Sequence, residues 1–75
     1  MNMNKTIYSK DHKFLVEQLK KARIEVGLDQ EKAAKLLGKT QSFISKIEAG
    51  QRRIDVVQLK EFAQIYKKSL DYFLQ

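Results

Sequence analysis

The sequence contains no cysteine and no proline, and only three of its 75 residues are glycine. The lack of cysteine excludes disulfide bonds and thiolate metal sites. The single histidine, His12, cannot form a metal site alone, and we expect neither a metal nor another cofactor. Because no cross-link holds so small a chain together, we expect a well-packed helical core, which dimerisation can reinforce.

Long apolar runs are also missing. No segment approaches the roughly 18 to 20 consecutive apolar residues of a membrane span, and residues 1–10 lack the apolar stretch of a signal peptide. We therefore expect a cytoplasmic protein with no membrane partner. The sequence also shows no nucleophile–base pair, paired carboxylates or glycine-rich phosphate loop. For that reason we expect no enzymatic activity and no small-molecule ligand.

Positive charge is in excess. The chain carries 15 lysine and arginine residues against 9 aspartate and glutamate residues, a formal net charge of +6, and its pI is about 9.7. A domain pI above roughly 9 is typical of nucleic-acid binding. A net charge of roughly 2 to 8 is also common in small soluble domains, where it only favours solubility. The placement of the charges therefore has to decide between nucleic-acid binding and simple solubility.

The three glycines divide the chain. Gly27, Gly38 and Gly50 each fall where a helical pattern stops, and a glycine just past a helix end adopts the left-handed conformation that closes it. The pattern predicts five helices and no strand. The predicted helices span residues 10–26, 30–37, 41–49 and 56–67, with Ser9, Asp29, Thr40 and Asp55 as N-caps, and a short last helix follows Ser69. We expect one all-α domain over residues 10–75, preceded by a flexible arm over residues 1–9.

Only residues 38–40 join the second and third predicted helices. A turn this short that contains glycine makes two helices cross at roughly 90 to 120°. Ala34 supplies the small residue that such a crossing needs, and Ile44 and Ile47 can close the space beneath it. The outer face of the third helix is then left without a protein partner. That face carries Gln41, Ser42, Ser45 and Lys46, whose side chains can reach base edges in a major groove about 12 Å wide.

Residues 28–53 read LDQEKAAKLLGKTQSFISKIEAGQRR, and residues 59–74 read LKEFAQIYKKSLDYFL. Across residues 19–74 the chain resembles the lambda-repressor-like Cro/CI (Xre) family of helix-turn-helix regulators. The residues that match in register are Gln30, Ala34, Gly38, Gln41, Ile44, Ser45, Ile47, Glu48 and Gly50. The resemblance implies a compact five-helix lambda-repressor-like domain whose second and third helices bind double-stranded DNA.

The resemblance also implies roles for single residues. Gln41 and Lys46 match positions that contact bases, with Ser42 and Ser45 as close neighbours; glutamine can bond to adenine and lysine to guanine. The implied phosphate contacts are Gln30, Lys39, Thr40, Arg52 and Arg53. The alternative is that these side chains are ordinary solvated residues. Phe43 either presses on the DNA or packs on a neighbouring helix, and we favour packing.

Arg23 and Glu48 are implied to form a partly buried, structural ion pair between the first and third helices. The alternative is two independent surface charges. Truncating one partner of a buried pair typically costs roughly 3 to 5 kcal/mol of stability. The two interpretations therefore predict different losses of stability when Arg23 is truncated.

One groove-reading helix covers about half a binding site, and proteins of this class gain specificity as two-fold dimers. The predicted homodimer surface is the apolar C-terminal cluster of Leu70, Tyr72, Phe73 and Leu74, although the same cluster could instead cover the core. We expect a transcriptional regulator, a repressor on a palindromic or pseudo-palindromic operator, of a bacterial or phage type and associated with the nucleoid. The alternative is an antitoxin or accessory protein of the same fold whose main partner is another protein, such as a toxin.

Overall fold

The computed structural model describes residues 9–74, which form five α-helices. They are α1 (Lys10–Glu25), α2 (Gln30–Leu37), α3 (Gln41–Glu48), α4 (Val56–Tyr66) and α5 (Asp71–Leu74). No strand occurs in this part of the chain, so the predicted all-α, five-helix fold is confirmed. The predicted flexible arm lies outside the described residues, except for Ser9.

Four helices begin where the sequence predicts, because each N-cap side chain accepts a hydrogen bond from the backbone three residues on. Ser9, Asp29, Thr40 and Asp55 accept from the N–H groups of His12, Lys32, Phe43 and Gln58. Asp55 and Gln58 also form the reciprocal capping box, which satisfies two helix-terminal donors at once. The last helix begins at Asp71, one residue later than a Ser69 cap would start it.

A glycine follows the end of α1, α2 and α3, as the pattern predicts, although α1 and α3 end at Glu25 and Glu48, each one residue earlier than predicted. The end of α4 has no glycine. Gly27, Gly38 and Gly50 all have positive φ angles. The fourth helix ends at Tyr66, one residue earlier than predicted, and Lys67 adopts the left-handed conformation with φ of 59°. A lysine rarely takes this conformation, so no residue pattern marks the end of this helix.

All five helices contribute to one core. Its buried apolar residues are Leu19, Ala22, Ala33, Ala34, Ile44, Ile47, Leu59, Phe62, Ala63, Tyr66 and Phe73. The small side chains of Ala33 and Ala34 on α2 allow close packing against Ile44 and Ile47 on α3. The fourth helix lies against both α1 and α2. This arrangement buries one face of α3 and leaves its other face at the surface.

The C-terminal helix packs on α1, and this corrects part of the predicted dimer surface. Phe73 is only 1% exposed, and the side-chain amide of Gln18 donates to the Tyr72 carbonyl over 3.1 Å. The assignment of Phe73 to a dimer interface is therefore wrong, because the protein's own core already covers it. Leu70 and Tyr72 are half-buried against that core. Leu74, 61% exposed, is the cluster member that remains at the surface.

Tyr66 is the largest buried side chain of the core, and its hydroxyl group finds no hydrogen-bond partner within residues 9–74. Burial raises the pKa of this phenol, and the negative charge of Glu48 adds to the effect. An unpartnered buried polar group costs stability because it has given up its hydrogen bonds to water.

We therefore expect Tyr66→Phe to raise the free energy of unfolding by about 1 kcal/mol. The substitution removes only the hydroxyl oxygen and keeps the ring that fills the core. Urea denaturation of the two proteins at equal concentration would measure the difference. A loss of stability would show that the hydroxyl has a favourable partner and would contradict this prediction.

Candidate nucleic-acid interface

The turn between α2 and α3 reverses the chain within three residues. Gly38 has φ of 68°, the left-handed region that glycine adopts without strain, and no atom lies within 4 Å of where its Cβ would be. Its conformation, and not a lack of space, requires glycine here. The Lys39 N–H then donates to the Ala34 carbonyl over 2.9 Å, and Thr40 begins α3 two residues after the glycine.

The third helix has two different faces. Ile44 and Ile47 are each 1% exposed and hold the helix against the core. The opposite face is formed by the four predicted base-contacting residues, Gln41, Ser42, Ser45 and Lys46, all of which are exposed. Within residues 9–74 the side chains of Ser42, Ser45 and Lys46 make no hydrogen bond or ion pair. These three side chains are therefore available to an external partner.

Arg23 and Glu48 form the ion pair that the resemblance implies. The Arg23 Nε lies 2.7 Å from Glu48 Oε2 and its Nη2 lies 3.0 Å from Oε1, so the contact is bidentate. The Arg23 Nη1 donates to the Leu28 carbonyl over 2.8 Å. The two side chains are 10% and 5% exposed, and the hydrogen bond to Glu48 raises the pKa of the guanidinium. One arginine thus joins α1, the α1–α2 loop and α3.

Two glutamine side chains connect this ion pair to the exposed face of α3 through hydrogen bonds. The Gln30 amide nitrogen donates to Glu48 Oε1 over 3.0 Å, and the Gln41 amide nitrogen contacts Gln30 Oε1 at 3.4 Å. Sequence reasoning assigned Gln30 to a phosphate and missed these contacts. They join residues 11 and 18 positions apart, so no local sequence pattern reports them.

The candidate phosphate contacts lie in the chain segments before and after α3 and, for Gln30, in α2. Lys39, Thr40, Arg52 and Arg53 are exposed, and Gln30 is half-buried. Phe43 packs against the core, as the favoured interpretation had it. Its ring also lies beside two cations, with Lys39 Nζ 5.3 Å and Arg52 Cζ 4.8 Å from the centroid. No local sequence pattern predicts this second contact, because the two cations are 13 residues apart in the chain.

Most of the chain matches a known protein family. Residues 19–73 match the family model described as helix-turn-helix. The chain belongs to the Cro/CI-type helix-turn-helix family. This member of the family is a DNA-binding transcriptional regulator of the Xre type. None of the helices within residues 9–74 is long and apolar enough to span a membrane.

Two solved structures show the same arrangement of helices. The restriction-modification controller protein C.AhdI from Aeromonas hydrophila is 26% identical with a TM-score of 0.78, over 85% of this chain and 93% of that one. Hydroxypropylphosphonic acid epoxidase from S. wedmorenis is 27% identical with a TM-score of 0.76, over 83% of this chain but only 33% of the epoxidase. No curated protein matches the chain. The family and the controller protein together point to a DNA-binding regulator and not to an enzyme.

Proposed function

We propose that the protein is a sequence-specific repressor that binds double-stranded DNA as a homodimer on a palindromic or pseudo-palindromic operator. The observation that carries the proposal is the exposed face of α3, which is polar or basic at all four of its predicted base-contacting positions and has exposed cations in the chain segments before and after it. A single helix of this kind fits the major groove, where each base pair presents its own pattern of donors and acceptors.

In this proposal the four exposed residues of α3 read bases. Gln41 presents an amide that can both donate and accept, which suits the N6 and N7 atoms of adenine, and Lys46 can donate to O6 and N7 of guanine. Ser42 and Ser45 have short hydroxyl side chains that bond to several bases and suit a close approach to the groove wall. Because Gln41 contacts Gln30, its amide is held at the start of α3 before DNA binds.

The residues around the ends of α3 bind the phosphate backbone. Lys39 and Thr40 precede the helix in the chain and Arg52 and Arg53 follow it, and the Arg52 guanidinium lies beside Phe43 in the first turn of α3. Gln30 lies in the first turn of α2, where free N–H groups of the helix favour an anion. Such contacts fix the orientation of the protein and contribute affinity without reading sequence.

The homodimer follows from the size of the recognition surface. Two copies related by a two-fold axis would place their α3 helices in successive major grooves, about 34 to 36 Å apart. With Phe73 in the core, the surface left for a dimer contact is Leu74 with the accessible edges of Leu70 and Tyr72.

Selection of bound sequences from a random duplex pool, followed by native mass measurement of the complex, tests the proposal. We expect enrichment of a site with two inverted halves, bound by two copies of the chain. The absence of any enriched sequence would refute sequence-specific recognition, and one copy on a single half-site would refute the dimer. Co-purification of a second, different chain would favour the antitoxin alternative.

A comparison of two alanine variants separates base contacts from phosphate contacts. Gln41→Ala should reduce discrimination at one base position of the site by roughly 1 to 3 kcal/mol and leave binding to random duplex unchanged. Arg53→Ala, the control, should weaken binding to operator and random duplex by the same factor. Fluorescence anisotropy on the selected site and its single-base variants would measure both. Equal losses on every sequence for Gln41→Ala would contradict its role as a base contact.

A further inference from the structure

Phe43 divides its contacts between the core and two charged side chains. It is half-buried and packs against the core, which fixes the plane of its ring. Lys39 reaches this ring from the turn before α3, and Arg52 reaches it from the loop after α3. A cation near an aromatic ring is attracted by the negative charge of the ring face. Two cations from opposite sides of α3 in the chain therefore share one ring as a partner.

Lys39 and Arg52, here called the Lys39–Arg52 cation pair, are joined only through the Phe43 ring that both contact. Like charges repel, and neither side chain has an acidic partner within residues 9–74. The ring offsets part of this repulsion and keeps both cations near the start of α3, since Phe43 is in the first turn of that helix. Two cations beside one ring, neither with an acidic partner in the described part of the chain, suit an anion that approaches them. The N-terminal end of α3, which Thr40 caps, also favours negative charge.

We propose that Phe43 is a positioning residue, whose ring holds the Lys39–Arg52 cation pair in place to bind the DNA phosphate backbone beside the start of α3. This inference rests on the proposed function and deepens it. Phe43 then contributes to affinity and salt dependence without reading a base, although it lies between the base-contacting residues Ser42 and Ser45 in the chain. Its ring orders the two side chains before binding, so less conformational entropy is lost when a phosphate arrives.

The test compares Phe43→Leu with Phe43→Tyr. Leucine keeps an apolar side chain against the core but has no ring, whereas tyrosine keeps the ring. Phe43→Leu should bind the selected operator and a random duplex about three- to tenfold more weakly, by the same factor for both. The slope of log K against log salt should become less steep by about 1 per protomer. Phe43→Tyr should retain the affinity and the slope of the unchanged protein.

A double-mutant cycle isolates the effect of the ring on the two cations. Adding Phe43→Leu to a Lys39→Ala/Arg52→Ala variant should cause no further loss of affinity, because no cation remains to be positioned. A further three- to tenfold loss in that background would overturn the inference, since Phe43 would then act on its own. Thermal unfolding of each variant confirms that it is folded at the temperature of the measurement.

Proton NMR of the unchanged, DNA-free protein gives a readout that needs no variant. Ring currents should shift the methylene protons nearest the charged groups of Lys39 and Arg52 upfield, and the absence of these shifts would overturn the inference.

The DNA-binding measurements distinguish failure of this inference from failure of the proposed function. A protein that binds no duplex at any salt concentration would refute the proposed function. Normal DNA binding with an unchanged salt slope in Phe43→Leu would overturn the inference alone. A loss confined to one base pair of the operator would overturn it by placing Phe43 on a base.

Discussion

Arg23→Ala is expected to lower the free energy of unfolding by roughly 3 to 5 kcal/mol. Domains of this kind are stable by only about 5 to 15 kcal/mol, so the variant would lose a large share of its stability. Arg23 donates two hydrogen bonds to Glu48 and one to the Leu28 carbonyl. Without it, the Glu48 carboxylate, 5% exposed, keeps the Gln30 amide as its one side-chain donor within residues 9–74. A buried charge without its counter-charge is the main cost.

Lys21→Ala is the matched control for this substitution. Lys21 lies on the same helix and is exposed, so its truncation should change the free energy of unfolding by no more than about 0.5 kcal/mol. Urea and thermal unfolding at one fixed protein concentration would compare the two variants. Equal unfolding midpoints would show that Arg23 and Glu48 act as independent surface charges, despite their bidentate geometry.

Raising the salt concentration from 50 to 200 mM is expected to weaken DNA binding about 10⁴-fold. If a dimer neutralises about eight phosphates, log K falls with log salt at a slope near −7, because each neutralised phosphate releases condensed counterions. The surface around α3 supports a slope this steep. It carries Lys39, Arg52 and Arg53 in each protomer, and Lys46 adds a fourth exposed cation on α3 itself.

A titration over this salt range, with the selected operator and with a random duplex, measures the slope for both kinds of site. The phosphate contacts are shared, so the two slopes should be similar while the absolute affinities differ. About half the expected slope would indicate that a single protomer binds. An affinity that does not change with salt would contradict the proposed function, because no phosphate contact would then contribute to binding.

Most of the fold can be predicted from the sequence because its signals are local. An N-cap such as Thr40 acts on a backbone group three residues away, and a glycine such as Gly38 fixes the conformation of its own residue. Two such signals, one on each side of a three-residue turn, already define the helix-turn-helix. The exposed residues of α3 follow from helical periodicity once Ile44 and Ile47 are placed in the core.

Features that depend on tertiary packing could not be predicted in the same way. The apolar C-terminal cluster is compatible with both a core and an interface, and only the position of α5 against α1 places Phe73 in the core. The contact of Gln30 with Glu48 and the position of Phe43 beside Lys39 and Arg52 join segments that are distant in sequence or separated by a turn. Sequence reasoning can name the side chains at such a site, but their contacts depend on the packed helices.

Because Gln41 contacts Gln30, the exposed residues of α3 differ in how freely they can be substituted during evolution. Ser42, Ser45 and Lys46 take part in no side-chain hydrogen bond or ion pair within residues 9–74, so descendants of this protein can exchange them and acquire new DNA targets while the fold stays intact. Gln41 is joined through Gln30 to the same carboxylate that binds Arg23. A change at Gln41 therefore has to suit the contact with Gln30 as well as the DNA, and this position should drift more slowly than its three neighbours.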